Sequence, residues 1–158
     1  MIDRRELFGF VAFLGLCLAA SAVGGAATAS SVGNWYLTLV KPAFTPPDWI
    51  FAPVWTALYF MMAIAAWRVW RRDGLAKARS AMTLFALQLM LNMSWSIAFF
   101  GLRSIGAALA EILVLLLAIL ATTVLFWQRD RSAGLLFIPY AGWVAFATAL
   151  NARLWQLN

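Results

Sequence analysis

The side chains with chemical capacity inside apolar sequence are few and of one character. Trp55, Trp95 and Trp143 interrupt long apolar runs, together with the amides Gln88, Asn92 and Asn151 and one acid, Glu111. An indole offers a flat π face and a single N–H donor, and an amide offers both donor and acceptor. The chain has no histidine and one cysteine, Cys17, so a Ser-His-Asp arrangement is excluded. A metal site of the usual ligand types, including a histidine-ligated haem iron, is not expected. No glycine-rich phosphate loop is present, no intrachain disulfide can form, and no catalytic set stands out. What remains is noncovalent recognition of a large, flat, mostly apolar ligand with a few polar groups.

Spacing groups these residues. Gln88, Asn92, Trp95 and Phe99 fall at i−4, i, i+3 and i+7, one face of a helix. Trp143, Ala147 and Asn151 fall at i, i+4 and i+8 on another, and Ala147 leaves room between aromatic walls. Each residue also has a plainer role. Asn92 and Gln88 serve equally well as hydrogen bonds between helices. Glu111, shallow in its segment, is a functional candidate as an intramembrane acid, but pointing at water or pairing with Arg103 is the favoured reading.

The elements that must position these faces follow from composition. Of 158 residues, 65% are hydrophobic and 11% charged, and the mean hydropathy is +0.85. Soluble domains hold about 45–50% apolar and about 25% charged residues. The excess requires lipid as solvent. About 20 apolar residues span a bilayer as a helix, and five stretches qualify: Leu7–Ala29, Trp49–Trp70, Ala81–Leu102, Ile105–Trp127 and Ala133–Trp155. The run from Leu113 to Leu120 does not alternate in polarity, so helices are expected rather than barrel strands. The fold class is an all-α membrane protein, a single five-helix transmembrane domain over residues 1–158. The first stretch also has a signal-peptide reading, with Arg4 and Arg5 before it and Ala27-Thr-Ala at its end. Its length favours a spanning helix.

The net charge of +6 would suggest nucleic acid in a soluble protein. Here the basic residues sit in short gaps, so no nucleic-acid partner is expected and contact with membrane lipid is. Arg4, Arg5, Arg68, Arg71, Arg72, Lys77, Arg79, Arg129 and Arg131 lie on one side, and Lys41, Arg103 and Arg153 on the other. The positive-inside rule then predicts a cytoplasmic N-terminus, an outward C-terminus and a bacterial inner membrane. The one long connection, Ser30–Asp48, faces outward. Trp55, Asn92, Trp95, Phe99, Glu111, Trp143 and Asn151 come to the same depth beneath it, which predicts an outward-opening pocket with the loop as lid. Short gaps elsewhere predict antiparallel contact between helices two and three, three and four, and four and five. Trp35, Trp49, Trp67, Trp70, Trp127 and Trp155, at helix ends, read as interface anchors. Gly15-x-x-x-Ala19 and Ala20-x-x-x-Gly24 are weak signals of close helix packing on a partner.

These blocks resemble the tryptophan-rich sensory protein and translocator protein (TspO/MBR, peripheral-type benzodiazepine receptor) family, as a bacterial member. The first is Trp35-Tyr36-x-x-Leu39-x-Lys41-Pro42, then Pro46-Pro47-x-Trp49-x-Phe51 and Trp55-x-x-x-Tyr59. The second is Gln88-x-x-x-Asn92-x-x-Trp95-x-x-x-Phe99-Phe100, and the third Pro139-Tyr140-x-x-Trp143 through Ala147-x-x-Leu150-Asn151. The resemblance implies a five-helix bundle, usually a homodimer. It implies a membrane sensor or carrier that binds porphyrins such as protoporphyrin IX, with no required cofactor. Trp35, Tyr36, Pro47, Trp55, Gln88, Asn92, Trp95, Phe99, Trp143, Ala147 and Asn151 are the ligand-binding residues it points to. In some family members the tryptophans matching Trp55 and Trp143 act in light-dependent porphyrin breakdown, so these two are the catalytic candidates of an alternative, enzymatic reading. A tetrapyrrole or sterol transporter is the other alternative. Ala43 stands where some relatives carry tryptophan, and Leu150-Asn-Ala-Arg153 lacks the tyrosine of the proposed sterol motif, which lowers the expectation of sterol binding through it.

Overall fold

The computed structural model describes residues 3–158. Five long helices are apolar enough to cross a membrane: α1 (Arg4–Ala29), α3 (Phe51–Lys77), α4 (Arg79–Ser96), α5 (Ile105–Arg129) and α6 (Arg131–Leu157). A one-turn helix, α2 (Trp35–Thr38), lies within the long connection, and a 3-10 turn at Asp48–Ile50 leads into α3. The chain is an integral, multi-pass membrane protein. Each helix carries its own backbone hydrogen bonds, as lipid demands. Pro53 falls in the first turn of α3, where its missing N–H costs no helix bond. Pro139 lies inside α6 and is tolerated there.

The helices form a closed ring in the order α1, α3, α6, α5, α4. Contact between helices two and three of the sequence reading, here α3 and α4, is therefore sparse, although only Ala78 separates them. α1 packs against both. The cause is local. The expected gap at residues 71–79 is mostly helix, and the break falls at Gly74, whose φ of 69° suits a residue without Cβ. The turn after it runs off the α3 axis and acts as extra linker. The other two expected pairs, α4 with α5 and α5 with α6, are in close contact.

The end of the bundle rich in arginine is solid. Phe85 stacks on Phe126 at 6.0 Å, Phe126 meets Phe137 edge-on at 5.0 Å, and Phe137 meets Tyr140 at 5.8 Å. All four rings are buried among Ala63, Ala65, Ala66 and Val69. α1 and α3 close tightly here. Gly9 lies under the Trp70 ring, where a Cβ would come within 2.1 Å of carbon. Phe10 packs edge-on to Trp67, whose indole N–H donates to the Glu6 carbonyl at 2.9 Å. Trp67 and Trp70, read from sequence as interface anchors, are thus held by α1. Trp49, Trp127 and Trp155 are exposed, as anchors are. Arg68 pairs with Asp130 at 3.0 Å and Arg129 with Asp73 at 2.8 Å. Asp130 also caps α6 through the Ala133 N–H. Burial would raise the Asp130 carboxyl, but hydrogen bonds from Ala133 and Arg68 and the guanidinium charge outweigh it and hold it below its ordinary 3.8.

The small-residue signals of α1 divide. Ala20 and Gly24 are buried within the bundle, with Gly24 against the Ser96 side chain, whereas Gly15 and Ala19 are exposed.

Candidate functional site

At the other end the helices separate around a cavity of about 470 Å³. That lies within the roughly 300–1,000 Å³ of small-molecule pockets. Eight of the residues singled out in the sequence line it: Tyr36, Trp55, Asn92, Trp95, Phe99, Trp143, Ala147 and Asn151. They come from the lid, α3, α4, α6 and the π-helical turn Ile97–Gly101 that ends α4. The π turn widens the helix at Phe99 and Phe100, and both rings are buried.

Three singled-out residues stand outside the lining. Trp35 packs edge-on against Phe99 at 5.7 Å. Pro47 starts the 3-10 turn before α3. Gln88 lies deeper, fully buried, where its side-chain oxygen accepts from Tyr140 at 2.9 Å and its amide faces Met62 sulfur. Although Gln88 shares a helical face with Asn92, the cavity floor intervenes.

Several polar side chains of the cavity are engaged with one another. Tyr59 donates to the Asn92 side-chain oxygen at 2.6 Å, and the Asn92 amide donates to Tyr140 at 3.0 Å. This chain continues to Gln88 and ties α3, α4 and α6 across the bundle. Trp95 donates to Asn151 at 3.1 Å, and Asn151 donates to the Ile105 carbonyl at 3.0 Å. Trp143 differs. Its Nε1–H is buried with no acceptor. An orphaned donor is costly in an apolar interior. Phe51 and Phe146 hold the Trp143 ring at 5.7 and 5.6 Å. Glu111 takes no part: its carboxylate meets the Ser94 hydroxyl at 2.8 Å on the α4–α5 seam. Arg103, its expected partner, lies instead 3.4 Å from Ser31.

The loop covers the cavity as a lid. Tyr36 packs on Phe99 and Phe100, and Lys41 sits 4.2 Å above the Tyr36 ring. Burial, reinforced by the nearby Asp48 charge, raises the Tyr36 phenol above its ordinary 10.0 and keeps it neutral. Ser31 donates to the Phe100 carbonyl. Asn158 grips the Val40 backbone through two bonds of 2.9 and 3.1 Å. With the top covered, the cavity opens sideways. Its exposed lining residues are Gly25 and Ala29 of α1, Ala52 and Thr56 of α3, and Asp48 beside them.

Residues 13–156 match the model of the TspO/MBR family. The chain belongs to the TspO/MBR family. Across 98% of its length it is 40% identical to the tryptophan-rich protein TspO of Chlorobaculum tepidum, covering 99% of that protein. It is 42% identical to the protein of the same name from Archaeoglobus fulgidus, over 97% of this chain and 99% of that one. The human translocator protein is 40% identical over 79% of this chain and 75% of its own.

TspO/MBR membership adds weight to the faces read from spacing, yet those faces omitted a wall. Ser21, Gly24, Gly25, Thr28 and Ala29 of α1 line the cavity. Nothing in their types separates a binding surface from ordinary helix packing. Tyr59 also lines it; its place in the Trp55-x-x-x-Tyr59 block was the available signal.

Proposed function

We propose that this chain is a membrane sensor or carrier that holds a porphyrin-like tetrapyrrole in the aromatic cavity beneath its lid. Kinship with proteins named as sensory and translocator proteins supports the broader role. The observation that carries the ligand class is the cavity's division of labour. Indole and phenyl faces of Trp55, Trp95, Phe99 and Trp143 supply the walls, while Tyr59, Asn92 and Asn151 supply a few polar atoms. A planar macrocycle with few acceptors suits both features. The excess of arginine and lysine at the opposite end supports an outward lid.

The test is quenching of tryptophan fluorescence by protoporphyrin IX in detergent, against an unrelated membrane protein that corrects for partition into micelles. Saturable quenching is expected, with affinity about 5- to 30-fold lower in Trp143→Phe, the range for a loss of roughly 1–2 kcal/mol of ring contact. Quenching equal to the control protein's would remove the porphyrin. A second reading, light-driven porphyrin breakdown, draws on Trp55 and Trp143 facing one cavity as oxidisable rings. Under illumination at equal occupancy, Trp143→Phe should then change the decay of porphyrin absorbance, and equal decay would discard it.

A further inference from the structure

The five exposed residues of the cavity lining all belong to one seam. Gly25 and Ala29 lie in the last turns of α1, Ala52 and Thr56 in the first turns of α3, and Asp48 just before α3. Lining residues on α4 and α6 are buried or half-buried. The same two helices are locked at their other ends by Gly9 under Trp70 and by Trp67 on the Glu6 carbonyl. They therefore part only beside the cavity, and they part toward lipid, since both are membrane spans. At 1.5 Å per residue, the stretch from Gly25 to Ala29 occupies roughly the outer 6 Å of α1.

Below Asp48, which marks its lid end, the rim suits an apolar solvent. Thr28 and Thr56 line it near the lid, and each donates to its own helix, to Gly24 at 2.9 Å and to Ala52 at 2.8 Å. Neither threonine hydroxyl hydrogen is left facing lipid, where it would lack an acceptor. Gly25 carries no side chain, and a Cβ built there meets nothing within 4 Å. The overhead route is obstructed by contrast. It would require breaking the Ser31–Phe100 bond, the Val40–Asn158 clasp and the Tyr36 packing.

We propose that the gap between α1 and α3 is a membrane-facing entrance, through which a flat amphiphile dissolved in the bilayer slides edge-on into the cavity, with Gly25 and Ala29 setting its width. This deepens the ligand reading given above and rests on it for the identity of the amphiphile. The route itself is a property of the seam. A ligand taken from lipid is concentrated by partition before it binds, and it need never displace the lid.

The experiment uses no porphyrin, so loss of porphyrin binding and loss of the entrance are separable. The full chain carrying Cys17→Ala and Ala147→Cys, which puts one thiol inside the cavity, is reconstituted in phosphatidylcholine vesicles. It is treated either with N-phenylmaleimide, which dissolves in the bilayer, or with a charged sulfonated maleimide, which stays in water. The bilayer-soluble reagent should label the thiol faster than the charged one by more than the ratio of their rates with a free thiol. Gly25→Phe and Ala29→Leu should each slow it by about tenfold, as a steric gate on association would. Gly15→Phe on the exposed face of α1 should leave the rate unchanged and controls for folding. Labelling by the charged reagent at the same relative rate, or plugged variants that react at the parental rate, would overturn the proposal.

Discussion

The two ends of the α1–α3 pair use the same residue type to opposite effect. Gly9 is small so that Trp70 can lie against the backbone, whereas Gly25 is small and nothing fills the space. At the arginine-rich end, aromatic rings interdigitate with alanines and ion pairs bind the helix ends. At the lid end, aromatic rings face a void and polar side chains bind one another. Without a hydrophobic drive between helices in lipid, cohesion comes from packing and hydrogen bonds. One end is held mostly by the first and the other mostly by the second, which leaves the second free to keep a cavity.

The contrast predicts a graded set of mutational effects. The largest is expected for Phe137→Ala, which removes a fully buried ring touching Phe85, Phe126 and Tyr140. A loss of about 3–5 kcal/mol in detergent unfolding is expected. Trp143→Ala, facing the void, should cost well under half of that; equal losses would erase the distinction between the two ends. Next comes Gly9→Val, whose side chain must push Trp70 aside, at about 1–3 kcal/mol in the same assay. Gly25→Val should shift the melting temperature little, and a drop matching that of Gly9→Val would mean that the lid-end seam is closed. The smallest effect concerns Asp130. Asp130→Asn keeps a capping oxygen for α6 but removes the ion pair with Arg68, at a cost of up to about 1 kcal/mol at neutral pH. Because the folded carboxyl is held below 3.8, its contribution is full above that value and fades as pH falls through the lower folded value. Wild type and variant should therefore converge in acid, and a gap that persists there would assign the effect to the cap geometry instead.

Much of this was legible in the sequence, and the parts that were not share a cause. Runs of about 20 apolar residues give spanning helices because lipid leaves the backbone no alternative. Asn92 and Trp95, like Trp143, Ala147 and Asn151, share a wall because helical periodicity holds to the end of α4 and throughout α6, and Phe99 joins them from the π turn that follows. Gln88 obeys the same periodicity yet misses the cavity, since periodicity gives a face and not a depth. The α1 wall was hidden because glycine and alanine look alike whether they admit a neighbouring helix or a ligand. The sparse contact between α3 and α4 was hidden because a short link suggests adjacency, and the diversion at Gly74 depends on one backbone angle. The sideways opening required knowing where α1 sits, which the ring order alone reveals.

That ring order bears on how the molecule is made. α3 has α1 on one flank and α6 on the other, so its second flank is covered only once α6 is in place. Trp143, Ala147 and Asn151 all belong to that segment. During synthesis, four helices can enter the membrane and begin to pack while the binding wall is still missing. A chain interrupted before α6 leaves α3 open to lipid along a whole flank, and it carries Trp55 and Asn92 with nothing opposite them. The cavity is thus complete only once the 27-residue helix α6 is in place.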